Sequence, residues 1–164
     1  MRRINLKSSN RKASIAATFL TILFVIISLV IPTLLINIIP ESALGNYFVE
    51  NIYYAYIIIP VLLYILITGF YYYHIKIDAY ILYITSFRTL SGLLKSKDYI
   101  EIPHNILKKY SFFNRPYSAN KTLMIKLDQD NGKKIIKRFN LSFLSKGEEN
   151  RIRKVLDQII AKNT

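Results

Sequence analysis

The chain has 164 residues, and 23 lysines and arginines against ten acidic residues give it a formal net charge of +13. Two long hydrophobic stretches occupy its first part, so the remaining length allows one small domain of about 90 residues. The chain contains no cysteine, which excludes disulfide bonds, thiolate metal sites and thiol nucleophiles.

Residues 1–12 form a basic segment with five lysines and arginines and no acidic residue. The following 28 residues, 13–40, carry no charge. The apolar core of a secretory signal peptide has only about 7–15 residues and ends at a small-residue cleavage site, so a stretch of this length predicts a retained membrane helix. We therefore interpret 1–12 as a cytoplasmic N-terminus and 13–40 as transmembrane helix 1.

A second uncharged stretch follows a connection at 41–51, which holds Glu41 and Glu50 and no basic residue. At about 1.5 Å per residue, a helix over 52–73 is long enough to cross the roughly 30 Å hydrocarbon layer. Amphipathic aromatic rings are most stable at the level of the lipid headgroups. The sequence thus predicts transmembrane helix 2, with tyrosines as interface anchors at its two ends: Tyr53, Tyr54, Tyr56, Tyr71, Tyr72 and Tyr73.

The distribution of charge predicts the orientation of this helical hairpin. Lysine and arginine accumulate on the cytoplasmic side of a membrane, so 41–51 should be an external loop and both termini should be cytoplasmic. The expected location is the bacterial inner membrane, with two passes. Neither hydrophobic stretch contains Asp, Glu, Lys, Arg or His, which usually mark ion or proton pathways, and a channel or transporter is therefore disfavoured.

After position 73 the hydrophobic pattern changes to alternation. It predicts one long strand over 75–87, short strands at 99–103 and 106–113, and a hairpin from Leu123 to Phe139 around Asn131-Gly132. Ser145 and Glu148 form a capping box in front of a helix with a single apolar stripe. The expected α+β domain at 74–164 is an antiparallel sheet or partly open barrel with a C-terminal α-helix.

This order of elements resembles the bacterial pleckstrin-homology-like (PH-like) domains of small membrane proteins, including the YcxB-like type, in which two transmembrane helices precede the domain. The resemblance covers residues 75–162 and implies a membrane α-helical hairpin followed by an α+β PH-like domain that acts as a tethered binding or assembly module. It rests on these segments: Tyr80–Thr85, Ser91-Gly92-Leu93, Tyr99–Pro103 followed by Ile106, the hairpin around Asn131-Gly132, and Phe143-Leu144-Ser145.

The sequence shows no arrangement typical of a catalytic site. His74 and His104 are the two histidines, and they lie 30 residues apart without the spacing of metal ligands. We predict no enzyme activity, no cofactor and no metal. A membrane enzyme would require Asp78, Glu101 or His104 to meet around a pocket.

The basic residues are the surface feature with possible functional content. Each basic residue near an anionic lipid surface contributes on the order of 1 kcal/mol of attraction. The alternative is that they are ordinary solvated charges that obey the positive-inside bias. Nucleic-acid binding is disfavoured because at least one of the stacking candidates, Phe112 and Phe113, should belong to the core. The candidate lipid or partner surface comprises Lys76, Lys108, Lys109, Arg115, Lys121, Lys133, Lys134, Lys137 and Arg138.

The sequence therefore predicts a non-enzymatic bacterial inner-membrane protein whose cytoplasmic domain binds the anionic lipid surface or a partner protein, with a homo-oligomer as one form of partner. The alternative function is a membrane protein that confers immunity or resistance to a bacteriocin, since a small, very basic protein of this kind would suit that work.

Overall fold

The computed structural model of the protein describes residues 5–51, 53–90, 98–128 and 134–163. The chain divides into two compact units. Unit 1 is formed by the chain before Ile15 and after Gly69, and unit 2 is formed by Ile15–Gly69.

Unit 2 is helical, and its first helix begins inside unit 1. The helices are α1 (Arg11–Val25), α2 (Ile31–Ile38), α3 (Ala43–Glu50) and α4 (Tyr54–Thr68), with a π-helical segment at Ile26–Val30 that joins α1 to α2. Pro32 has no N–H to donate back along the helix, and a π-helical turn just before it absorbs the missing bond. Helices α1 and α2 thus form one continuous rod, Arg11–Ile38.

Unit 1 contains two antiparallel sheets and a C-terminal helix. Sheet A has the strand order β1-β2-β3-β4, and sheet B has the order β5-β6-β7. A short 3-10 turn at His104–Ile106 joins the sheets, and α5 (Lys146–Asn163) follows the last strand. The strands are β1 (Leu6–Ser9), β2 (Tyr71–Ile77), β3 (Ile81–Arg88), β4 (Asp98–Pro103), β5 (Leu107–Asn114), β6 (Asn120–Asp128) and β7 (Lys134–Ser142).

Alternating apolar side chains of both sheets and one stripe of α5 form the core of unit 1. On β6, for example, Leu123, Ile125 and Leu127 are buried. The α5 stripe contributes Ile152 and Leu156, both fully buried. Burial of each such side chain contributes about 1.5–3 kcal/mol.

The predicted hairpin of two membrane-spanning helices is wrong. Within the described residues, only Arg11–Ile38 is long and apolar enough to cross a membrane, with 28 residues and a mean hydropathy of 2.9 over its most apolar 18-residue window. Helix α4 has 15 residues, which at about 1.5 Å per residue gives roughly 22 Å against a hydrocarbon core of about 30 Å. Gly69 ends α4 early because it adopts a positive φ of 60°. The expected external loop at 41–51 is largely helix α3.

The three tyrosines expected at the end of a second membrane helix lie instead in a strand. Tyr71, Tyr72 and Tyr73 open β2, and alternation along that strand directs Tyr73 into the core, where it is 0% exposed. Burial raises the pKa of Tyr73 to about 12. Tyr73 is therefore a core residue, and its prediction as an interface anchor is wrong.

The N-terminal segment was expected to be a basic tail, but part of it is the edge strand of sheet A. Strand β1 pairs antiparallel with β2, from Leu6 opposite Ile77 to Ser9 opposite His74. Ser8 is buried, and its Oγ donates to Glu148 Oε1 of α5 at 3.3 Å. The domain is therefore interrupted by the helical unit, and it does not simply follow it.

Several local predictions for the domain can be compared with the strands. The single strand expected over 75–87 is two strands, because a turn at Asp78–Tyr80 reverses the chain between β2 and β3. One half of the predicted capping box is confirmed, since Ser145 Oγ accepts from Glu148 N at 3.2 Å. The Glu148 carboxylate accepts from the Ser145 hydroxyl at 3.2 Å, where the prediction had a backbone N–H. Strands β6 and β7 pair as a hairpin, whereas its Asn131-Gly132 turn and the Ser91-Gly92 turn lie outside the described residues.

Asn10 closes unit 1 at the point where the chain leaves it. Its Nδ2 donates to Tyr71 O at 2.7 Å and to Ser142 O at 3.0 Å, and its Oδ1 accepts from Tyr73 N at 2.8 Å. Ser142 Oγ accepts from Tyr71 N at 2.7 Å and donates to Asn120 Oδ1. Asn10, Asn120 and Ser142 are buried, so this network replaces the backbone pairing that ends with β1.

Asn10→Ala should destabilise unit 1 by about 2–4 kcal/mol, because three backbone groups would lose their partner and two of these hydrogen bonds are buried. The measurement is urea unfolding of the full chain in detergent, followed by near-ultraviolet circular dichroism of the tyrosines. Asn5→Ala, at an exposed asparagine before β1, is the matched control and should change the unfolding free energy by less than about 0.5 kcal/mol. Equal effects of the two substitutions would contradict the role of the Asn10 side chain.

Glu149 of α5 forms an ion pair with Lys121 of β6, which joins the helix to sheet B, and a second ion pair with Arg153 one turn further along α5. Burial acts to raise the pKa of Glu149, but hydrogen bonds from Lys121 and Arg153 outweigh it, and the net pKa is lowered. A lowered pKa means that the Glu149 carboxylate stabilises the fold fully above its ordinary pKa, and that this stabilisation is lost as the pH falls through the lowered value. Glu149→Gln should therefore lower the free energy of unfolding by about 1–3 kcal/mol near neutral pH and by less in acid.

Parallel urea unfolding of the two proteins between pH 3 and pH 7 would measure this difference. Asp98→Asn, which removes an exposed carboxylate at the start of β4, should leave the unfolding free energy nearly unchanged. A Glu149→Gln effect that stays constant on acidification would rule out the charged carboxylate as its source.

Candidate functional site

The chain leaves unit 1 after β1 and returns to it at β2, and these strands are antiparallel neighbours. The exit and the return therefore lie at the same end of unit 1. The same end holds the start of β6 and the end of β7, because Asn120 pairs with Ser142 and Asn10 bonds both Tyr71 and Ser142. We call this region, defined by Asn10, Tyr71, Asn120 and Ser142, the junction end.

Exposed aromatic side chains lie at the junction end. Phe113 is near the end of β5, Tyr117 lies in the turn before β6 and is 92% exposed, and Phe143 follows β7 and stacks on Phe70 with ring centroids 5.3 Å apart. Tyr117 and Phe143 adopt positive φ values of 56° and 59°. Such a backbone costs a bulky residue about 1–3 kcal/mol, and strain of this kind concentrates at functional positions.

Cationic side chains accompany these aromatic rings. Arg115, Lys121, Phe143 and Lys146 line a concavity of about 530 Å³. Lys121 bonds Glu149, whereas Arg115 and Lys146 form no ion pair with any residue in the described parts of the chain. Arg11 and Lys12 follow Asn10 directly, so the junction end is both cationic and aromatic.

The other basic residues of the predicted surface lie elsewhere on unit 1. Lys76 is on sheet A and forms an ion pair with Asp78 at 2.6 Å. Lys134 begins β7, eight residues from Ser142, which at about 3.3 Å per residue places it roughly 26 Å from the junction end. The remaining exposed members, on β5 and β7, are Lys108, Lys109, Lys137 and Arg138. Lys133 lies outside the described residues. The basic residues that were predicted to share one surface therefore lie on three separate surfaces.

The outer face of sheet B is the second cationic surface. Lys109 pairs directly with Lys126 across β5 and β6, and like charges in that position destabilise a sheet. Arg138 and Lys134 extend the face along β7, opposite Met124 and Asp128. The prediction missed Lys126, although its place between two buried neighbours of β6 already directed it outwards.

The tyrosines Tyr53, Tyr54 and Tyr56 remain at the start of α4, where the sequence placed them. Tyr53 and Tyr56 are exposed, and the ring of Tyr54 makes an edge contact with Phe48 at 5.6 Å. Their environment is helical, as expected for anchors, but the helix that they begin is too short to span a membrane alone.

The residues proposed for a possible enzyme site are only partly brought together. Asp78 and Glu101 line one concavity on sheet A together with His74, whereas His104 is not among its lining residues. The carboxylate of Asp78 already forms an ion pair with Lys76. Within the described parts of the chain, no group of three or more His, Asp or Glu residues could hold a metal ion.

Comparisons of the chain with protein-family models, with curated proteins and with solved structures found no match.

Proposed function

We propose that the protein is a non-enzymatic bacterial membrane protein in which helix Arg11–Ile38 is the anchor and the junction end rests on the anionic lipid surface. The observation that carries the proposal is the coincidence of three features at one end of unit 1. An apolar helix begins there, exposed aromatic rings lie there, and so do cations that form no ion pair with the described residues. Aromatic rings favour the headgroup level, and each nearby cation adds on the order of 1 kcal/mol of attraction to anionic lipid.

Membrane insertion of Arg11–Ile38 is supported by its composition and exposure. Only 17% of its most apolar window is buried within the protein. A cleaved signal sequence could share that composition, but strand β1 and Asn10 precede this helix and are built into unit 1. Cleavage after the helix would remove the edge of sheet A, which favours a retained anchor.

The fold of unit 1 constrains its topology across a membrane. Because β1 and β2 are hydrogen-bonded neighbours, the parts of unit 1 that precede and follow the helical unit lie on the same side of any membrane that the apolar helix enters. Five basic residues in the first 12 support the cytoplasmic side. The proposal includes the resemblance of unit 1 to PH-like binding domains, and its support is the order of a four-stranded sheet, a three-stranded sheet and a terminal helix.

A partner protein with an acidic surface is a second candidate ligand, for the outer face of sheet B. The cations Lys126 and Lys134 are exposed on this face and form no ion pair within the described residues. Lys134 is roughly 26 Å from the junction end along β7, well beyond the screening length of about 8–10 Å at physiological salt. A lipid surface held at the junction end therefore leaves this face free for a protein.

Lipid contact at the junction end can be tested with single cysteines, since the chain has none of its own. A fluorophore at Tyr117→Cys should be quenched by headgroup spin-labelled lipids in anionic nanodiscs, whereas the same fluorophore at Lys134→Cys should not be. Replacing both Arg115 and Lys146 by glutamine should weaken quenching at position 117, because about 2 kcal/mol of attraction is removed. Equal quenching at the two positions, or none at position 117, would refute the proposed orientation.

Topology can be tested with the variants Asn5→Cys and Lys162→Cys, whose positions are exposed at the two ends of the chain. A membrane-impermeant maleimide should label both cysteines only after the inner membrane is permeabilised. Labelling of both in intact spheroplasts would reverse the cytoplasmic assignment. Labelling of only one would contradict the pairing of β1 with β2, since that pairing places both positions on one side.

A further inference from the structure

The outer face of sheet A holds a concavity of about 610 Å³ that the proposed membrane contact does not use. We call it the sheet A cleft. It lies wholly in unit 1, on strands β2, β3 and β4. The residues that matter for its chemistry are Tyr72, His74, Tyr83, Thr85, Phe87 and Glu101.

Aromatic rings form most of the cleft in cross-strand pairs. Tyr72 and Phe87 have ring centroids 4.8 Å apart, and His74 meets the edge of Tyr83 at 5.9 Å. Tyr83 in turn contacts Tyr99 at 5.4 Å in an edge arrangement. All are partly or largely exposed, so ring surface is available to a ligand.

Thr85 lies in the middle of this face with an unsatisfied hydroxyl. It pairs with His74 on one side and Tyr99 on the other, and it is 8% exposed. Its Oγ1 has no hydrogen-bond partner within the described residues. A buried hydroxyl without a hydrogen-bond partner is unfavourable, and the cleft that Thr85 lines is where a ligand could satisfy it.

Glu101 provides the unpaired negative charge of the cleft. Its Oε2 accepts from Tyr99 Oη at 2.6 Å, and it forms no ion pair in the described part of the chain. Lys76 is already paired with Asp78. Lys7 lies on the edge strand β1, three strands from Glu101, and at about 4.8 Å per strand the distance of roughly 14 Å exceeds the screening length.

We infer that the sheet A cleft binds an arginine side chain of a partner protein, with its guanidinium between the Glu101 carboxylate and the rings of Tyr83 and Tyr99. A guanidinium can donate two parallel hydrogen bonds to a carboxylate and can stack on an aromatic ring, and no other side chain combines the two.

Other classes of ligand fit this cleft less well. Nucleic acid would place phosphates near Glu101 and Asp78, where the charges repel. A lipid headgroup would have to reach Tyr83, five residues along β3 from Arg88 at the junction end, which is about 16 Å. The arginine site does not depend on lipid binding. It is tested in detergent micelles, so its failure and the failure of the proposed lipid contact can be told apart.

The probes for this test are N-acetyl-L-arginine methylamide and its uncharged isostere N-acetyl-L-citrulline methylamide. The full chain is labelled at threonine and isoleucine methyl groups and observed by NMR in detergent micelles. The arginine probe should shift the methyl signals of Thr85 and Ile81 in a saturable way. It should bind about tenfold more tightly than the citrulline probe, because one charge-assisted contact is lost with citrulline.

Glu101→Gln should make the two probes bind equally, whereas the matched variant Glu50→Gln, at an exposed glutamate of unit 2, should preserve the tenfold preference. Thr85→Ala, which removes the unpaired hydroxyl, should weaken both probes without changing their ratio. A preference for arginine that survives in Glu101→Gln, or the absence of any saturable shift at Thr85 in the unsubstituted protein, would overturn the inference.

Discussion

The structure depends on the hydrogen bonds of Asn10. The side chain of Asn10 bonds the start of β2 and the end of β7, while its carbonyl accepts the first bond of helix α1 from Ser14 N at 2.8 Å. One residue therefore ends a strand, begins a helix and closes the β unit. Without this arrangement the apolar helices would precede an independent domain. With it, the apolar helices lie between β1 and β2 in chain order, although these two strands are hydrogen-bonded neighbours.

The fold also distributes the positive charges of the protein over separate places on unit 1. A net charge of +13 suggested one broad basic surface, but the fold separates it. Lys76 and Lys121 are used in ion pairs within unit 1. Arg115 and Lys146 remain at the junction end, and the cations of sheet B face outwards at a distance from it. The net charge alone therefore does not show where the exposed cations lie.

Much of unit 1 could be predicted from the sequence because its strands follow simple alternation and its last helix has a capping box. The pattern of Leu123, Ile125 and Leu127 was sufficient for β6, and Ser145 with Glu148 was sufficient for the start of α5. Strand β1 was missed because four residues, two of them serines and one a lysine, carry too little hydrophobic signal to separate a strand from a basic tail.

The errors at the second hydrophobic stretch have a related cause. A run of uncharged residues gives the same sequence signal for one membrane helix as for a helix followed by a buried strand. The change from helical to strand periodicity occurs just after a single glycine. The positive φ of Gly69 and the burial of Tyr73 decide the boundary, and both depend on tertiary structure. The cleft on sheet A was likewise hidden, because its residues come from three strands that meet only when the sheet forms.

The long separation between the partners of Asn10 also bears on the order of events during synthesis. Asn10 and Ser142 are 132 residues apart, and the whole helical unit is made between them. The N-terminal strand must therefore wait, unpaired, while the apolar helix leaves the ribosome, and unit 1 can close only when almost the entire chain has been translated. Contacts of such high sequence separation form slowly. Strand β1 can pair with β2 once residue 77 has been made, but the hydrogen bond from Asn10 to Ser142 can form only after β7, so closure of unit 1 at Asn10 is a late event of folding.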